Sequence, residues 1–104
     1  MTPIENSFMP GDTITFRMTT GEEVIAKLAA ERPDCFFVES PLILMQGQQG
    51  LDMVPALFSG EIEQVPVYKT CIMMASKTKE DAADHYRQKT TGIKVPPAKQ
   101  IITG

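Results

Sequence analysis

The run Ile14-Thr15-Phe16-Arg17-Met18-Thr19-Thr20-Gly21-Glu22-Glu23-Val24-Ile25-Ala26-Lys27-Leu28 alternates apolar and polar side chains twice, with a glycine between the halves. Ile14, Phe16 and Met18 point to one side, while Thr13, Thr15 and Arg17 point to the other. That period of two is the mark of a half-buried strand. Thr19-Thr20-Gly21-Glu22 supplies a tight reversal, because Gly21 is free to take a positive φ. After it Val24, Ala26, Leu28 and Ala30 share one face, and Glu23, Ile25 and Lys27 the other. The spacing predicts a β-hairpin.

Downstream, Arg32-Pro33-Asp34 reads as a turn and Cys35 to Val38 as a third strand, rich in aromatic and β-branched residues. Pro41 cannot donate to a ladder, so it predicts a bend, a bulge or a free edge before the apolar path resumes over Leu42 to Met45. Gln46-Gly47-Gln48-Gln49-Gly50 reads as a polar, mobile loop. Leu51 to Phe58, weakened by Pro55, is the fourth strand, and Ser59-Gly60-Glu61 turns again. Val65 to Ala75 is the fifth. Its stretch Cys71 to Ala75 is apolar on both faces, which suits a strand buried on both sides or placed at a subunit interface.

The period then changes. Thr78-Lys79-Glu80-Asp81 fits a helix-start signal, an acidic variant of the capping box. Ala82, Ala83 and Tyr86 fall on one thin stripe, Arg87 and Lys89 lie late in the helix, and Gly92 is a stop. The expectation is a surface helix over about 79–90 and an extended tail over 91–104. Upstream, Pro3 and Pro10 mark the first ten residues as an irregular arm, and Pro10-Gly11-Asp12 as a turn. Residues 1–104 read as one domain without repeats. Five short strands within about 65 residues predict a mostly β fold, a small, strongly bent antiparallel barrel of SH3-like or Sm-like type with a C-terminal helix. An OB-fold fits less well, because its strands are longer.

The length of 104 residues suits one domain, which buries roughly 60–70% of its unfolded surface. A net charge of −3 and a pI of about 5.0 argue against a whole-surface electrostatic grip on nucleic acid. A local basic patch, such as the lining of a pore, is compatible with both. Cys35 and Cys71 sit in apolar runs and read as buried free thiols. A disulfide would need their strands to lie close together. With one histidine, His85, the usual zinc ligands are too few, and neither a metal nor another cofactor is expected. No apolar run approaches the roughly 18 residues of a membrane span. The first residues do not form a secretory signal, so the expected location is the cytoplasm. A catalytic centre is not expected either. His85 lies beside Asp84 on a polar helix face, and Glu22-Glu23 and Glu80-Asp81 are turn and helix-start charges.

The hairpin pattern from Ile14 to Leu28 resembles the first motif of the Sm-like family. Asp34-Cys35-Phe36 resembles the Asp-x-aromatic step that leads that family's third strand. Val67-Tyr68-Lys69-Thr70-Cys71-Ile72 resembles the second motif in its bacterial host-factor (Hfq) branch, whose core is Tyr-Lys-His-Ala-Ile. The resemblance covers residues 12–75 and leaves both ends outside. Thr70 stands where the host-factor motif has histidine, and Cys35 where it has glutamine. The segment from Met45 to Val65 is longer than the host-factor version, and Pro41 and Pro55 depart from it too. Such departures suit a divergent member, from a phage or another mobile source.

The resemblance implies a homo-oligomeric ring of about five to seven subunits, in which the fourth strand of one subunit pairs with the fifth of the next. It also implies single-stranded RNA as partner. Carried over residue by residue, Phe36 stacks a base and Lys69 supplies charge. Thr70 and Cys35 flank them with altered chemistry, and Tyr68 supports the strand end. Each has a plainer reading beside the functional one: Phe36 as core, Lys69 as a solvated lysine, Tyr68 as a packed strand aromatic. The alternative for the whole chain is a structural or protein-binding ring, such as a phage assembly or scaffold component, without RNA binding.

Overall fold

In the computed structural model, residues 8–99 are described, with side chains through residue 91. The expected arm over residues 1–7 and the last five residues of the expected tail lie outside them.

The hairpin forms as its alternation predicts. β1 (Thr13–Met18) pairs antiparallel with β2 (Glu23–Glu31), from Thr13↔Lys27 to Arg17↔Glu23. The Gly21 amide donates to the Met18 carbonyl at 2.9 Å, and Gly21 sits at a φ of 107°, which a Cβ would strain. Ile14, Phe16, Val24, Ala26 and Leu28 are all buried in one cluster with Phe36 and Val38.

β3 (Cys35–Gly47) runs through Pro41 instead of stopping there. Ser40 adopts a left-handed φ of 50°, and the register against β2 passes from Lys27↔Glu39 to Ile25↔Leu42. One residue of β2 therefore faces two of β3. This bulge is how the strand accommodates a residue without an N–H.

The expected mobile loop at Gln46–Gly50 is a tight hairpin. Gly47 pairs with Gly50 around Gln48-Gln49, and β4 (Gly50–Pro55) returns along β3 as far as Leu42↔Pro55. Gly50 makes this reversal at a φ of 113°. β4 ends at Pro55 and does not reach Phe58.

β5 (Val65–Tyr68) then resumes along the same edge of β3, from Val38↔Val65 to Cys35↔Tyr68. Between Pro55 and Val65 lie nine residues, 56–64, which face three on β3, 39–41. β4 and β5 are thus one strand interrupted by an excursion. Its ends are held at the bulge, where the Ala56 amide donates to the Pro41 carbonyl (2.9 Å) and the Ser40 amide to the Ile62 carbonyl (2.8 Å).

The expected fifth strand is also split. A 3-10 turn at Lys69–Cys71 separates β5 from β6 (Ile72–Lys77), and β6 pairs with β1. Among the described residues six strands therefore replace the expected five. The sheet is antiparallel, in the order β4-β3-β2-β1-β6 with β5 beside β3, and it is not closed. β6 and β4 each have one neighbour, because the 3-10 turn carries the chain from β5 directly to the edge of β1.

α1 (Glu80–Lys99) covers the opposite face of the sheet from the main core. Ile25, Leu42, Met53 and Tyr86 form a second buried cluster there, flanked by Leu44 and Ala82, so the predicted Ala82–Ala83–Tyr86 stripe is the packed one. The helix continues past Gly92, where a stop and a tail from residue 91 were expected. Glycine costs about 1 kcal/mol inside a helix relative to alanine, which disfavours it without ending it. The capping box is not formed: the Thr78 hydroxyl pairs with that of Thr15 at 2.8 Å, and the Asp81 carboxylate accepts from the Ala82 amide. Among the described residues no helix is long and apolar enough to cross a membrane.

Candidate nucleic-acid interface

The five residues singled out in the sequence meet at one corner of the sheet. The start of β3 pairs with the end of β5, so Cys35 lies opposite Tyr68 and Phe36 opposite Val67. The Lys69 amide donates to the Asp34 carbonyl at 2.9 Å and closes the corner as the chain enters the 3-10 turn. The Lys69 ammonium then lies 4.9 Å from the centre of the Phe36 ring, within cation–π range.

Their exposures differ from the roles expected. Phe36 is 6% exposed. Its ring packs on Phe16 at 5.3 Å and edge-on against Phe8 at 6.2 Å, under the Lys69 ammonium. It belongs to the core and presents no open face to a base. Tyr68, expected only to support the strand end, is 53% exposed and is the open aromatic of this corner. Thr70 is exposed on the 3-10 turn. Cys35 is buried, and burial, reinforced by the Asp34 carboxylate, raises its thiol pKa above the ordinary value. It stays protonated and unreactive at neutral pH. Cys71 corrects an expectation: both thiols are free, but Cys71 is exposed, because the 3-10 turn lifts it out of the sheet.

The electrostatics of the corner are mixed. The Lys69 ammonium is 2.6 Å from a carboxylate oxygen of Glu31. Arg32 lies 5.9 Å from the centre of the Phe37 ring. Glu31 and Asp34 offset Lys69 and Arg32, so this is a compensated corner and not a basic patch. Glu31 was not legible as a site residue. It lies 38 positions before Lys69, and only the β2–β3–β5 pairing joins them.

A cavity of about 630 Å³, open to solvent, lies elsewhere. It lies between the sheet's outer face and the start of α1, with Ile25 and Met53 in its floor and Lys77, Asp81 and His85 on its rim. Among the described residues no three His, Cys, Asp or Glu side chains gather as metal ligands would. No protein-family model matches the chain, and no curated protein matches it.

Proposed function

We propose that this chain is a divergent Sm-like protein that assembles into a ring and binds single-stranded RNA through Tyr68, Lys69 and Thr70. The observation that carries the reading is convergence. The two segments resembling the family's motifs are far apart in sequence, yet Lys69 rests on Phe36 and Tyr68 pairs with Cys35. With β4 and β5 counted as one interrupted strand, the sheet has the five strands that the expected fold has.

The open edges support assembly. An unpaired strand edge invites pairing with another chain, and a head-to-tail contact that closes removes every such edge. Leu51 on β4 and Met73 and Met74 on β6 are exposed apolar side chains at these edges. The two free thiols suit the cytoplasm.

In this reading Tyr68 supplies the stacking face, and Phe36 is the apolar seat beneath Lys69. Stacking one base on an aromatic contributes about 1–3 kcal/mol, and a ring repeats the contact around one opening. Two measurements test it: solution mass by light scattering on a sizing column, and binding of a fluorescein-labelled single-stranded RNA at low salt. A closed oligomer that binds RNA is expected, and a monomer or a ring indifferent to RNA refutes the reading. Lys69→Glu is expected to abolish binding and leave the mass unchanged, since an exposed ion pair such as Lys69–Glu31 contributes at most about 1 kcal/mol to folding. Glu31→Gln, by releasing Lys69, is expected to tighten binding about two- to fivefold per site in the same titration.

The alternative, a structural or protein-binding ring without RNA, draws on one observation: Glu31 already neutralises Lys69. Under it, Glu31→Gln confers no RNA binding.

A further inference from the structure

α1 covers only part of the sheet's outer face. It packs Tyr86 and Ala82 against Ile25, Leu42 and Met53, and the cavity of about 630 Å³ beside it is a groove that crosses the sheet. The lining comes in turn from β4 (Leu51, Met53), β3 (Leu44), β2 (Ile25), β1 (Thr15) and β6 (Ser76, Lys77). Neighbouring strands lie about 4.8 Å apart, so the groove spans up to about 19 Å from one edge to the other. Its character changes along that line. At the β3–β4 end it is apolar: Ile25 and Met53 are buried beneath it, Leu44 is half-buried and Leu51 is 62% exposed. At the β6 end it is polar, with the hydroxyls of Thr15 and Thr78 and the ammonium groups of Lys77 and Lys79.

We propose that this groove binds a single-chain amphipathic anion of the fatty-acid class. The alkyl chain lies along Leu44 and Leu51, and the carboxylate meets Lys77, Lys79 and the threonine hydroxyls. No residue of the Tyr68–Lys69–Thr70 corner lines the groove, so the site does not rest on the RNA reading.

The sign of the head group follows from which charges are already engaged. Two carboxylates, Glu23 and Asp81, also line the groove. Glu23 is paired with Arg17 at 3.3 Å, and Asp81 accepts the Ala82 amide. Lys77 is 3.8 Å from Asp12, near the outer limit of an ion pair, and Lys79 has no ion-pair partner among the described residues. The charge left to a ligand is therefore positive. The Thr15 and Thr78 hydroxyls share one hydrogen bond at 2.8 Å, which uses one of their two protons and leaves the other to donate to a carboxylate. The alkyl chain follows from Leu44 and Leu51, apolar surface that α1 leaves open and a chain would cover. The volume, the apolar floor and the few polar groups at one end are the usual form of a small-molecule site.

The test titrates octanoate, decanoate and dodecanoate, each below its micellar concentration, into the full-length protein and follows displacement of fluorescent anilinonaphthalene sulfonate, itself an apolar body with an anionic group. Saturable binding is expected, and each added methylene should tighten it about two- to fourfold, the upper figure being that of a fully buried methylene. Dodecyltrimethylammonium, the same chain with a cationic head, should bind more weakly than dodecanoate. Lys79 and Leu51 are exposed, so changing them spares the fold. Lys79→Glu should weaken dodecanoate about three- to tenfold and leave the dependence on chain length as it is. Leu51→Asp should flatten that dependence. Equal affinity for the cationic and anionic heads, or unchanged affinity in Lys79→Glu, overturns the assignment of the head group. Affinity indifferent to chain length, or a chain-length dependence unaltered in Leu51→Asp, overturns the groove as the site. Flotation with phosphatidylglycerol vesicles separates the two sources of such an anion: a protein that floats with the vesicles but does not take up dodecanoate overturns the free acid as ligand.

Discussion

Phe36→Ala lowers the unfolding free energy by about 3–5 kcal/mol, the cost of removing a buried phenylalanine and leaving a cavity. A domain of this size has about 5–15 kcal/mol in total, so this one change consumes a large part of it. The reason lies in where β3 starts. Cys35 and Phe36 are held between β2 and β5, and the Phe36 ring fills the space between Phe16, Phe8 and the Lys69 side chain. Urea denaturation followed by circular dichroism measures the effect. A loss under about 1 kcal/mol, the range of an exposed side chain, would contradict Phe36 as core. The result also governs how binding data are read, because Phe36→Ala weakens the fold as well as removing the ring. Phe36→Leu separates the two roles: it keeps most of the apolar volume, costs about 1–2 kcal/mol, and removes the ring. Its RNA affinity should match wild type if Tyr68 supplies the stacking face, and should fall about fivefold or more if the base lies on Phe36.

What could be read in advance was what is periodic. The alternation from Thr13 to Ala30 fixes which side chains face the core, because a strand has a period of two and one face is apolar. The Ala82, Ala83 and Tyr86 stripe is the same argument at helical spacing. The interruptions were not legible. The left-handed Ser40, the nine-residue excursion and the 3-10 turn depend on how β3 meets its partners, and nothing local marks them. Pro41 and Pro55 signalled irregularity without saying which kind. In the candidate site, the resemblance named the residues that converge, but Cys35-Phe36-Phe37-Val38 is apolar throughout and its alternation cannot show which ring is covered. Phe36 is buried and Tyr68 exposed, the reverse of the exposures that their expected roles would need. The apolar run Cys71 to Ala75 suits a strand doubly buried or at an interface, and in a single chain it lies on an open edge with Met73 and Met74 exposed.

Tyr86 ties the helix to the irregularity in β3, and its hydroxyl makes the fold sensitive to alkali. The ring is 3% exposed beside Ile25, Leu42 and Met53, and the hydroxyl donates to the carbonyls of Glu39 (3.0 Å) and Ser40 (2.9 Å), at the bulge. Tyr86→Phe keeps the packing and leaves those carbonyls without this donor, which should cost about 1–3 kcal/mol. Tyr86→Ala should cost about 3–5 kcal/mol and loosen α1 from the sheet. Burial is the main cause that pushes the Tyr86 pKa up from 10.0 to about 12. The protonated hydroxyl is therefore the form that the folded state favours. Its contribution is fully present below the unfolded value near pH 10 and is lost as the pH rises through about 12. The loss is on the order of 2–3 kcal/mol, because each pKa unit corresponds to about 1.4 kcal/mol. Phenylalanine has no proton to lose. Plotted against pH, the stability of wild type minus that of Tyr86→Phe should be flat up to about pH 10 and fall between pH 10 and 12. Tyr68→Phe leaves Tyr86 as the single tyrosine in a chain without tryptophan. Ultraviolet absorbance of that variant should show the phenol ionising near pH 12 and not near pH 10, and ionisation in the folded protein near pH 10 would exclude the buried, hydrogen-bonded hydroxyl on which the helix contact depends.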